Sequence, residues 1–489
     1  MKHRFTQLRA KLKESLAGGL APQEAEAYQH KAENQKTTGI SRLQIRELLM
    51  QTVDQIFSAK WVLPIAPENI VLENHSVIVN KTRIVDILPT KGVAEKYTAK
   101  EKIELSHHVL MPGLVNAHTH AAMNLFRSLA DDLPLMDWLQ EHMWRAEENI
   151  INAETITIGT NLALMEMIRG GTLCFNDMYF YAPETAEAVI KAGIRASLGL
   201  TILAIPSGEM KTEEDYFKRA YRDYARAPKS DLITWIVMPH AAYTNSDHSL
   251  KRCLALADEL GLRLHAHANE SLGEIEMDKK QHGKSSLQRL DDAGLLNEKM
   301  LLAHMVHLTD EEIKLIQERK VHVVHCPESN MKLGSGFADM PRLVNLGINV
   351  CLGTDGAASN NDLDMLGEMQ SAAFLAKGLH QDPTVFHAPQ ILRMATLHGA
   401  KALGLEKEIG SLEKNKSADM IAVDLSHYFT QPIYNIFSLL VYAVNRFQVS
   451  DAWIKGKCLL EKGELKTIDV EKILTELNCW TSEIKRFSA

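Results

Sequence analysis

The sequence predicts an α/β protein: a (β/α)8 TIM barrel joined to a small composite β domain that is built from both chain ends. Two observations predict this fold class. Eight apolar runs of strand character alternate with helical stretches in the middle of the chain, and short alternating segments of β type lie only before and after them. Such alternation is typical of a parallel sheet, and eight β/α units over roughly 300 residues match the size of a barrel.

The chain divides into four predicted parts. Few large apolar side chains occur between residues 15 and 35, and β patterning starts only near Ile56. We therefore expect an extension outside the catalytic fold, with Met50 as an alternative start. The predicted parts are residues 1–49 for the extension, 50–110 for the first part of the β domain, 111–407 for the barrel, and 408–489 for the second part of the β domain and a C-terminal helix.

Composition and charge exclude some partners. The formal net charge is -8, whereas a surface for nucleic acid or an anionic membrane requires a basic excess. The most apolar stretch, residues 433–444, is too short to span a bilayer. The six cysteines include no CxxC pair, which is typical of reduced thiols. We expect a cytoplasmic protein that binds neither nucleic acid nor a membrane.

The eight runs of the barrel end in residues that carry chemistry. In chain order the runs end near His120, Asp177, Ile202, His240, His267, His304, His325 and Asp355. Active sites of such barrels lie at the carboxyl ends of the strands. Because most of these ends carry a histidine or an aspartate, we expect the active site there.

Histidines at the first run favour a metal site. His118 and His120 are two residues apart on a strand, so both side chains point to the same face. The fifth run supplies His265 and His267, which also share a face, so that one of the two is a deeper packing or supporting residue. Asp355 ends the eighth run beside glycines. Buried polar groups at several strand ends each need a partner, which a metal ion would supply.

Residues 50–460 resemble the amidohydrolase superfamily, and within it the 5′-methylthioadenosine/S-adenosylhomocysteine deaminases. The resemblance is densest in four segments: MPGLVNAHTH at 111–120, LPLMDWL at 133–139, HCPESNMKLG at 325–334 and LGTDGAASN at 352–360. Members of this superfamily are metal-dependent hydrolases on a TIM barrel. The resemblance therefore implies hydrolytic deamination of an adenine nucleoside to the inosine-type product and ammonia.

The resemblance also implies roles for individual residues. The metal ligands are His118, His120, His267 and Asp355, the proton-transferring residue is Glu270, the histidine beside the attacking water is His304, and the substrate contacts are Glu147 and His240. Glu147 matches the carboxylate that holds the ribose hydroxyls, although a solvated helix face would also explain it. A supporting role is open for His240. Asp355 and His304 would take the proton of the attacking water, and Glu270 would protonate N1 of the ring.

The expected cofactor is one zinc ion per subunit. Relatives with two metals use a carboxylated lysine at the end of the fourth strand, and residues 237–240 contain no lysine. Iron or manganese could replace zinc, since three nitrogens and one carboxylate select weakly. We further expect a homo-oligomer, because a dimer is usual for proteins of this kind.

The nucleoside tail is predicted from a missing charge. Residues 198–206, after the third run, contain no arginine to pair with an amino-acid carboxylate, and Arg195 opens that strand at the opposite end. We therefore expect 5′-methylthioadenosine to be preferred over S-adenosylhomocysteine, with adenosine a further substrate. The alternatives are a guanine deaminase or an s-triazine-type chlorohydrolase on the same scaffold, and a catalytically inactive scaffold protein.

Overall fold

The computed structural model describes residues 50–206 and 210–488. The predicted extension, residues 1–49, lies outside the described residues. Two eight-stranded sheets organise the described chain, one parallel and one mixed. The predicted fold class, a (β/α)8 barrel with a β domain from both chain ends, is confirmed.

The barrel is formed by eight parallel strands in sequential order. These are β5 (Leu114–Thr119), β6 (Thr172–Asp177), β7 (Arg195–Ile202), β8 (Ile233–Pro239), β9 (Arg263–Ala268), β10 (Met300–His304), β11 (His322–His325) and β12 (Val350–Leu352). All eight coincide with the predicted runs. Beyond β12, the amide of Asp355 donates to the carbonyl of His118 at 3.0 Å and brings the last strand to the first.

The second sheet combines the two ends of the described chain. Its strands are β1 (Gln51–Val62), β2 (Leu72–Asn80), β3 (Arg83–Pro89), β4 (Tyr97–Pro112), β13 (Met420–Asp424), β14 (Val449–Ile454), β15 (Lys457–Glu461) and β16 (Glu464–Leu465), in the spatial order β16-β15-β14-β13-β4-β1-β2-β3. β1 begins at Gln51, five residues before the point at which the pattern becomes visible. The first residues of β1 pair with β4, but most of them are polar and at least partly exposed. No alternation of apolar and polar side chains therefore marks the start of this strand.

Helices lie between and after the strands of both sheets. They are α1 (Thr90–Lys96), α2 (Leu135–Asp137), α3 (Trp144–Ile150), α4 (Ala153–Arg169), α5 (Ala182–Ala192), α6 (Glu213–Arg226), α7 (Asp247–Leu260), α8 (Leu272–His282), α9 (Ser286–Asp292), α10 (Asp310–Glu318), α11 (Pro327–Lys332), α12 (Met340–Asn345), α13 (Met365–His380), α14 (Ala388–Met394), α15 (Leu397–Ala402), α16 (Ile436–Tyr442) and α17 (Val470–Ile484). A π-helical segment, Trp138–Met143, joins α2 to α3. Side-chain caps fix several helix starts, for example Asn152 before α4 and Ser246 before α7.

A buried ion pair connects the two sheets. Arg195, at the start of β7, is paired with Asp419 beside β13, and its guanidinium also donates to the hydroxyl of Ser417 at 3.0 Å. Both charged side chains are almost fully buried. This pair lies at the amino ends of the barrel strands, so the chemistry at the carboxyl ends is left to other residues. Among the helices of the described residues, none is both long and apolar enough to cross a membrane.

Candidate metal centre and substrate cavity

Four predicted ligands meet at the carboxyl ends of the barrel strands. His118 and His120 extend from β5 on one face, His267 extends from β9, and Asp355 follows β12. Asp355 Oδ1 lies 3.3 Å from His118 Nε2 and 3.1 Å from His120 Nε2. His267 Nε2 lies 3.4 Å from His120 Nε2. Sequence neighbours and distant strands thus direct four donor atoms to one point.

Hydrogen bonds on the far side of two rings fix which nitrogen faces this point. His120 Nδ1 lies 2.6 Å from the carbonyl oxygen of Met178, and His267 Nδ1 lies 2.8 Å from that of His240. A carbonyl can only accept, so each Nδ1 carries the hydrogen and donates. In the neutral ring, which is the form that binds a metal ion, Nε2 is then a bare acceptor directed at the centre.

His118 is oriented by a second histidine. His265 Nδ1 donates to the carbonyl of Leu301 at 3.2 Å, so its Nε2 is the acceptor for His118 Nδ1 at 2.8 Å. His118 Nε2 is left buried without a hydrogen-bond partner. Of the two histidines on the fifth run, His265 therefore lies behind His118, and His267 faces the centre.

This donor set fits a divalent metal ion. Two bare nitrogens of neutral imidazoles 3.4 Å apart repel one another unless a cation lies between them. Three imidazole nitrogens and one carboxylate oxygen are a typical zinc set. Asp355 Oδ2 is occupied by the hydroxyls of Ser329 and Ser359, each at 2.7 Å, which leaves Oδ1 for the ion.

The backbone around Asp355 accommodates a close approach of the first and last strands. A Cβ atom at Gly353 would lie 2.8 Å from the backbone nitrogen of His118, which is too close for any other residue. The glycine that precedes the ligand is thus required for barrel closure at the site.

Glu270 and His304 lie side by side next to the four donors. His304 Nε2 is 3.9 Å from Glu270 Oε2, and His304 Nδ1 is 2.9 Å from Asn330 Oδ1. Burial raises the pKa of Glu270, which favours the protonated carboxyl. Burial opposes the charge of His304, but Glu270 and Asp355 outweigh this and raise its pKa. His304 is also close enough to His118 and His267 to share a metal ion with them.

The site opens into one large cavity. Its volume is about 680 Å³, a size typical of small-molecule sites. Of the eight predicted site residues, seven line it: His120, Glu147, His240, His267, Glu270, His304 and Asp355. His118 is fully buried beneath them. Much of the remaining wall is apolar and comes from the segment that contains the π-helix and from the loop after β7.

Glu147 faces the cavity rather than solvent. Its Oε1 accepts a hydrogen bond from the hydroxyl of Tyr179 at 2.6 Å, and burial raises the pKa of its carboxyl. A solvated helix face is therefore excluded for this residue. Sequence reasoning missed Tyr179, although its position two residues after the end of β6 places it at the active end of the barrel.

His240 also lines the cavity. Its Nδ1 lies 3.1 Å from the hydroxyl oxygen of Thr244, and its ring centroid lies 4.7 Å from that of His267. Burial lowers the pKa of His240 to about 3, so the ring is neutral near pH 7. The backbone carbonyl of His240 also accepts a hydrogen bond from His267 Nδ1. His240 therefore orients a metal donor through its backbone, while its side chain lines the cavity.

Two cationic side chains, Arg145 and Lys211, line the cavity. Neither lies in residues 198–206, the segment after the third strand in which an arginine is absent. Arg195 lies at the opposite end of that strand, as predicted, and is paired there with Asp419. The segment after β7 thus contributes no arginine to the cavity, but two other segments contribute positively charged side chains.

Known proteins resemble the chain over most of its length. The model of the amidohydrolase family matches residues 109–459. A 5-methylthioadenosine/S-adenosylhomocysteine deaminase of Saccharophagus degradans is 42% identical over 432 residues, which cover 88% of this chain and 97% of that protein.

Solved structures show the same architecture. The crystal structure of an adenosine deaminase from Xanthomonas campestris, with bound zinc, superposes with a TM-score of 0.87 at 42% identity and covers 89% of this chain and 100% of the other. The zinc complex of an atrazine chlorohydrolase from Arthrobacter aurescens gives a TM-score of 0.79 at 20% identity, covering 87% of this chain and 100% of the other. At that identity the second likeness concerns the fold alone.

Proposed function

The chain belongs to the amidohydrolase family, and from this premise we propose that it deaminates adenine nucleosides that carry a 5′-thioether, foremost 5′-methylthioadenosine. It is a metal-dependent hydrolase acting on C–N bonds. The observation that carries the nucleoside assignment is the Glu147–Tyr179 pair. In this pair a partly buried carboxylate lies on the wall of the same cavity as the metal donors, where ribose hydroxyls could donate to it.

The chemistry follows from the positions of the chain's own groups. A divalent cation held by His118, His120, His267 and Asp355 would activate water for attack on C6 of the adenine ring. Glu270, whose pKa is raised by burial, holds a proton and donates it to N1, which makes C6 a better electrophile. His304 and Asp355 take the proton that the water gives up. That proton passes to the leaving amine, Glu270 recovers a proton from the hydroxyl on C6 as the carbonyl forms, and ammonia departs from the inosine-type product.

The tail of the substrate meets a mixed surface. Apolar side chains such as Met143, Phe180 and Leu203 suit a methylthio group, whereas Arg145 and Lys211 could pair with the carboxylate of S-adenosylhomocysteine. We propose that both nucleosides are substrates and that kcat/KM is higher for 5′-methylthioadenosine. Equal or reversed values would contradict the preference without affecting the reaction class.

A screen of ammonia release tests the substrate class. Adenosine, 5′-methylthioadenosine, S-adenosylhomocysteine, guanine and cytosine are each supplied to the metal-loaded enzyme. We expect turnover of the adenine nucleosides, with little release from guanine and cytosine. Faster release from guanine would favour the guanine deaminase alternative, and chloride release from an s-triazine would favour the chlorohydrolase.

Glu147→Ala separates these alternatives within one protein. The variant should lower kcat/KM for nucleosides about a hundredfold and leave turnover of free bases unchanged, because only nucleosides carry a ribose. The matched control is Glu141→Ala, which removes an exposed carboxylate of the neighbouring π-helical segment that does not line the cavity. A loss of equal size for nucleosides and free bases would contradict the ribose assignment.

We further propose one zinc ion per subunit, a cytoplasmic location and a homo-oligomeric state, with no nucleic acid or membrane partner. The four donor atoms around one point support a single metal ion. The full set of donors argues against an inactive scaffold. Elemental analysis of purified protein should give about one zinc per chain, and a metal-free protein with no metal affinity would support the scaffold alternative.

A further inference from the structure

A chain of buried polar side chains runs behind the cavity without lining it. It consists of Glu274 and Asp278 on α8 and of Ser286 and Arg289 on α9, and we call it the buried polar chain. All four residues are buried. Their role is unexplained by the reaction, since none of them lines the cavity. Buried charges are costly to desolvate unless they are paired and hydrogen-bonded, so the partners of these side chains show what they do.

Arg289 is at one end of the buried polar chain and holds the loop after β8. Its Nη1 donates to the carbonyl of Ala242 at 2.7 Å, and its Nη2 donates to the carbonyl of Asn245 at 2.8 Å. The loop between them carries Tyr243 and Thr244, which line the cavity, and begins at His240. The conformation of the loop behind His240 therefore depends on the guanidinium.

Arg289 donates four hydrogen bonds and makes a further close contact with a carboxylate. Besides the two carbonyls, Nη1 lies 2.6 Å from Asp278 Oδ1, and Asp247 Oδ1 lies 3.0 Å from Nε and 2.9 Å from Nη2. The Arg289 side chain is only 1% exposed, and that of Asp278 is 0% exposed. Only the planar fork of an arginine satisfies such a set, because lysine has three donors on a point charge.

Glu274 is at the other end and holds the loop after β9. Its Oε1 accepts from the amide of Asn269 at 3.1 Å, and its Oε2 accepts from the amide of Glu270 at 3.0 Å. Ser286 Oγ connects the two ends, since it lies 2.5 Å from Asp278 Oδ2 and 3.4 Å from Glu274 Oε1. Asn269 has a positive φ of 51°, and the carboxylate of Glu274 holds this turn by accepting from two consecutive amides.

We propose that Arg289 is a positioning residue that, through the buried polar chain, aligns Glu270 and His240 with each other across the substrate. The two loops follow the neighbouring strands β8 and β9. The buried polar chain hydrogen-bonds to both loops and so fixes their positions relative to each other. A misplacement of about 1 Å in a catalytic group lowers turnover about a hundredfold. The proposal rests on the proposed function for the roles of Glu270 and His240.

The test compares two buried arginines. Arg289→Lys keeps the charge opposite Asp278 but loses the fork, and Arg195→Lys does the same to the Asp419 pair at the opposite end of the barrel. We expect both variants to lower Tm and to retain about one zinc per chain. Only Arg289→Lys should lower kcat, by about ten- to a hundredfold at saturating nucleoside. An Arg289→Lys enzyme with the kcat and KM of Arg195→Lys would overturn the proposal.

The Ser286→Ala variant and hydrogen exchange extend the test to the cases in which Arg289→Lys does not fold or the enzyme shows no activity. If Arg289→Lys does not fold, Ser286→Ala removes one hydroxyl and should lower kcat about tenfold with little change in KM. An unchanged kcat in that variant overturns the proposal. Hydrogen exchange provides a readout without substrate: amides of residues 240–247 and 269–274 should exchange faster in Arg289→Lys or Ser286→Ala than in Arg195→Lys. If the wild-type enzyme releases no ammonia from nucleosides, the proposed function fails, and the exchange result still decides this inference.

Discussion

At the scale of single residues, Glu270 is the group whose chemistry can be tested most directly. Its carboxyl is buried beside His304, and burial raises its pKa, as a proton donor to the ring requires. Glu270→Gln keeps the shape and removes the titrating proton. We expect kcat to fall about 10²- to 10⁴-fold with the metal content unchanged, measured by ammonia release and elemental analysis. Loss of metal in this variant would instead identify Glu270 as a ligand.

Tyr179 is expected to affect substrate binding rather than the chemical step. Its hydroxyl donates to Glu147, so Tyr179→Phe removes one charge-assisted hydrogen bond and frees the carboxylate. We expect KM for nucleosides to rise about tenfold with kcat nearly unchanged, because the ribose lies away from the reacting carbon. Steady-state kinetics with 5′-methylthioadenosine measure this. A change confined to kcat would contradict the positioning of Glu147 by Tyr179.

The sequence predicted the residues at strand ends and missed those that act across loops. His118, His267 and Asp355 are visible because each ends an apolar run, and the period of a strand fixes the direction of its side chain. Tyr179 and Arg289 are invisible in this way. Arg289 contacts carbonyls more than forty residues away through loop conformations that no local pattern encodes.

At the scale of elements, pairs of strands position pairs of donors. His265 and His267 lie on one face of β9, yet only His267 faces the metal donors, because His265 is one step deeper and accepts from His118. Periodicity shows that the two share a face and cannot show which one lies nearer the end. Depth in the barrel, which depends on the stagger of neighbouring strands, decides it.

This arrangement of β5 and β9 predicts a role for His265 in metal affinity. His265→Phe removes the acceptor that orients His118 and should weaken zinc binding about 10- to 100-fold. His265→Gln, which can restore an acceptor, should recover part of the affinity. Competition with a chromophoric chelator gives the dissociation constants. The matched control is His325→Phe on β11, a buried ring whose Nδ1 has no hydrogen-bond partner. Equal losses in both phenylalanine variants would show a general packing effect.

At the scale of the whole molecule, the ion pair that joins the two sheets and the metal donors lie at opposite ends of the barrel. The Arg195–Asp419 pair joins β7 to the composite sheet at the amino ends of the strands, whereas every metal donor lies at the carboxyl ends. The sequence indicated the composite sheet because both chain ends alternate in the same way. It did not indicate the ion pair between the sheets, because a charged residue at the start of an apolar run resembles a solvated strand end.

The last prediction concerns the part of the chain that precedes both sheets. Met50 is immediately followed by β1, which begins at Gln51, and all the proposed ligands and catalytic groups lie downstream of it. A variant that starts at Met50 therefore keeps the composite sheet, the barrel and the cavity. We expect its kcat/KM, its zinc content and its Tm to equal those of the full chain within about twofold and about 2 °C, since every described strand of the two sheets lies at or after Gln51. Ammonia release, elemental analysis and thermal unfolding of the two proteins measure the difference. A truncated protein that aggregates or loses activity would instead make residues 1–49 part of the catalytic fold.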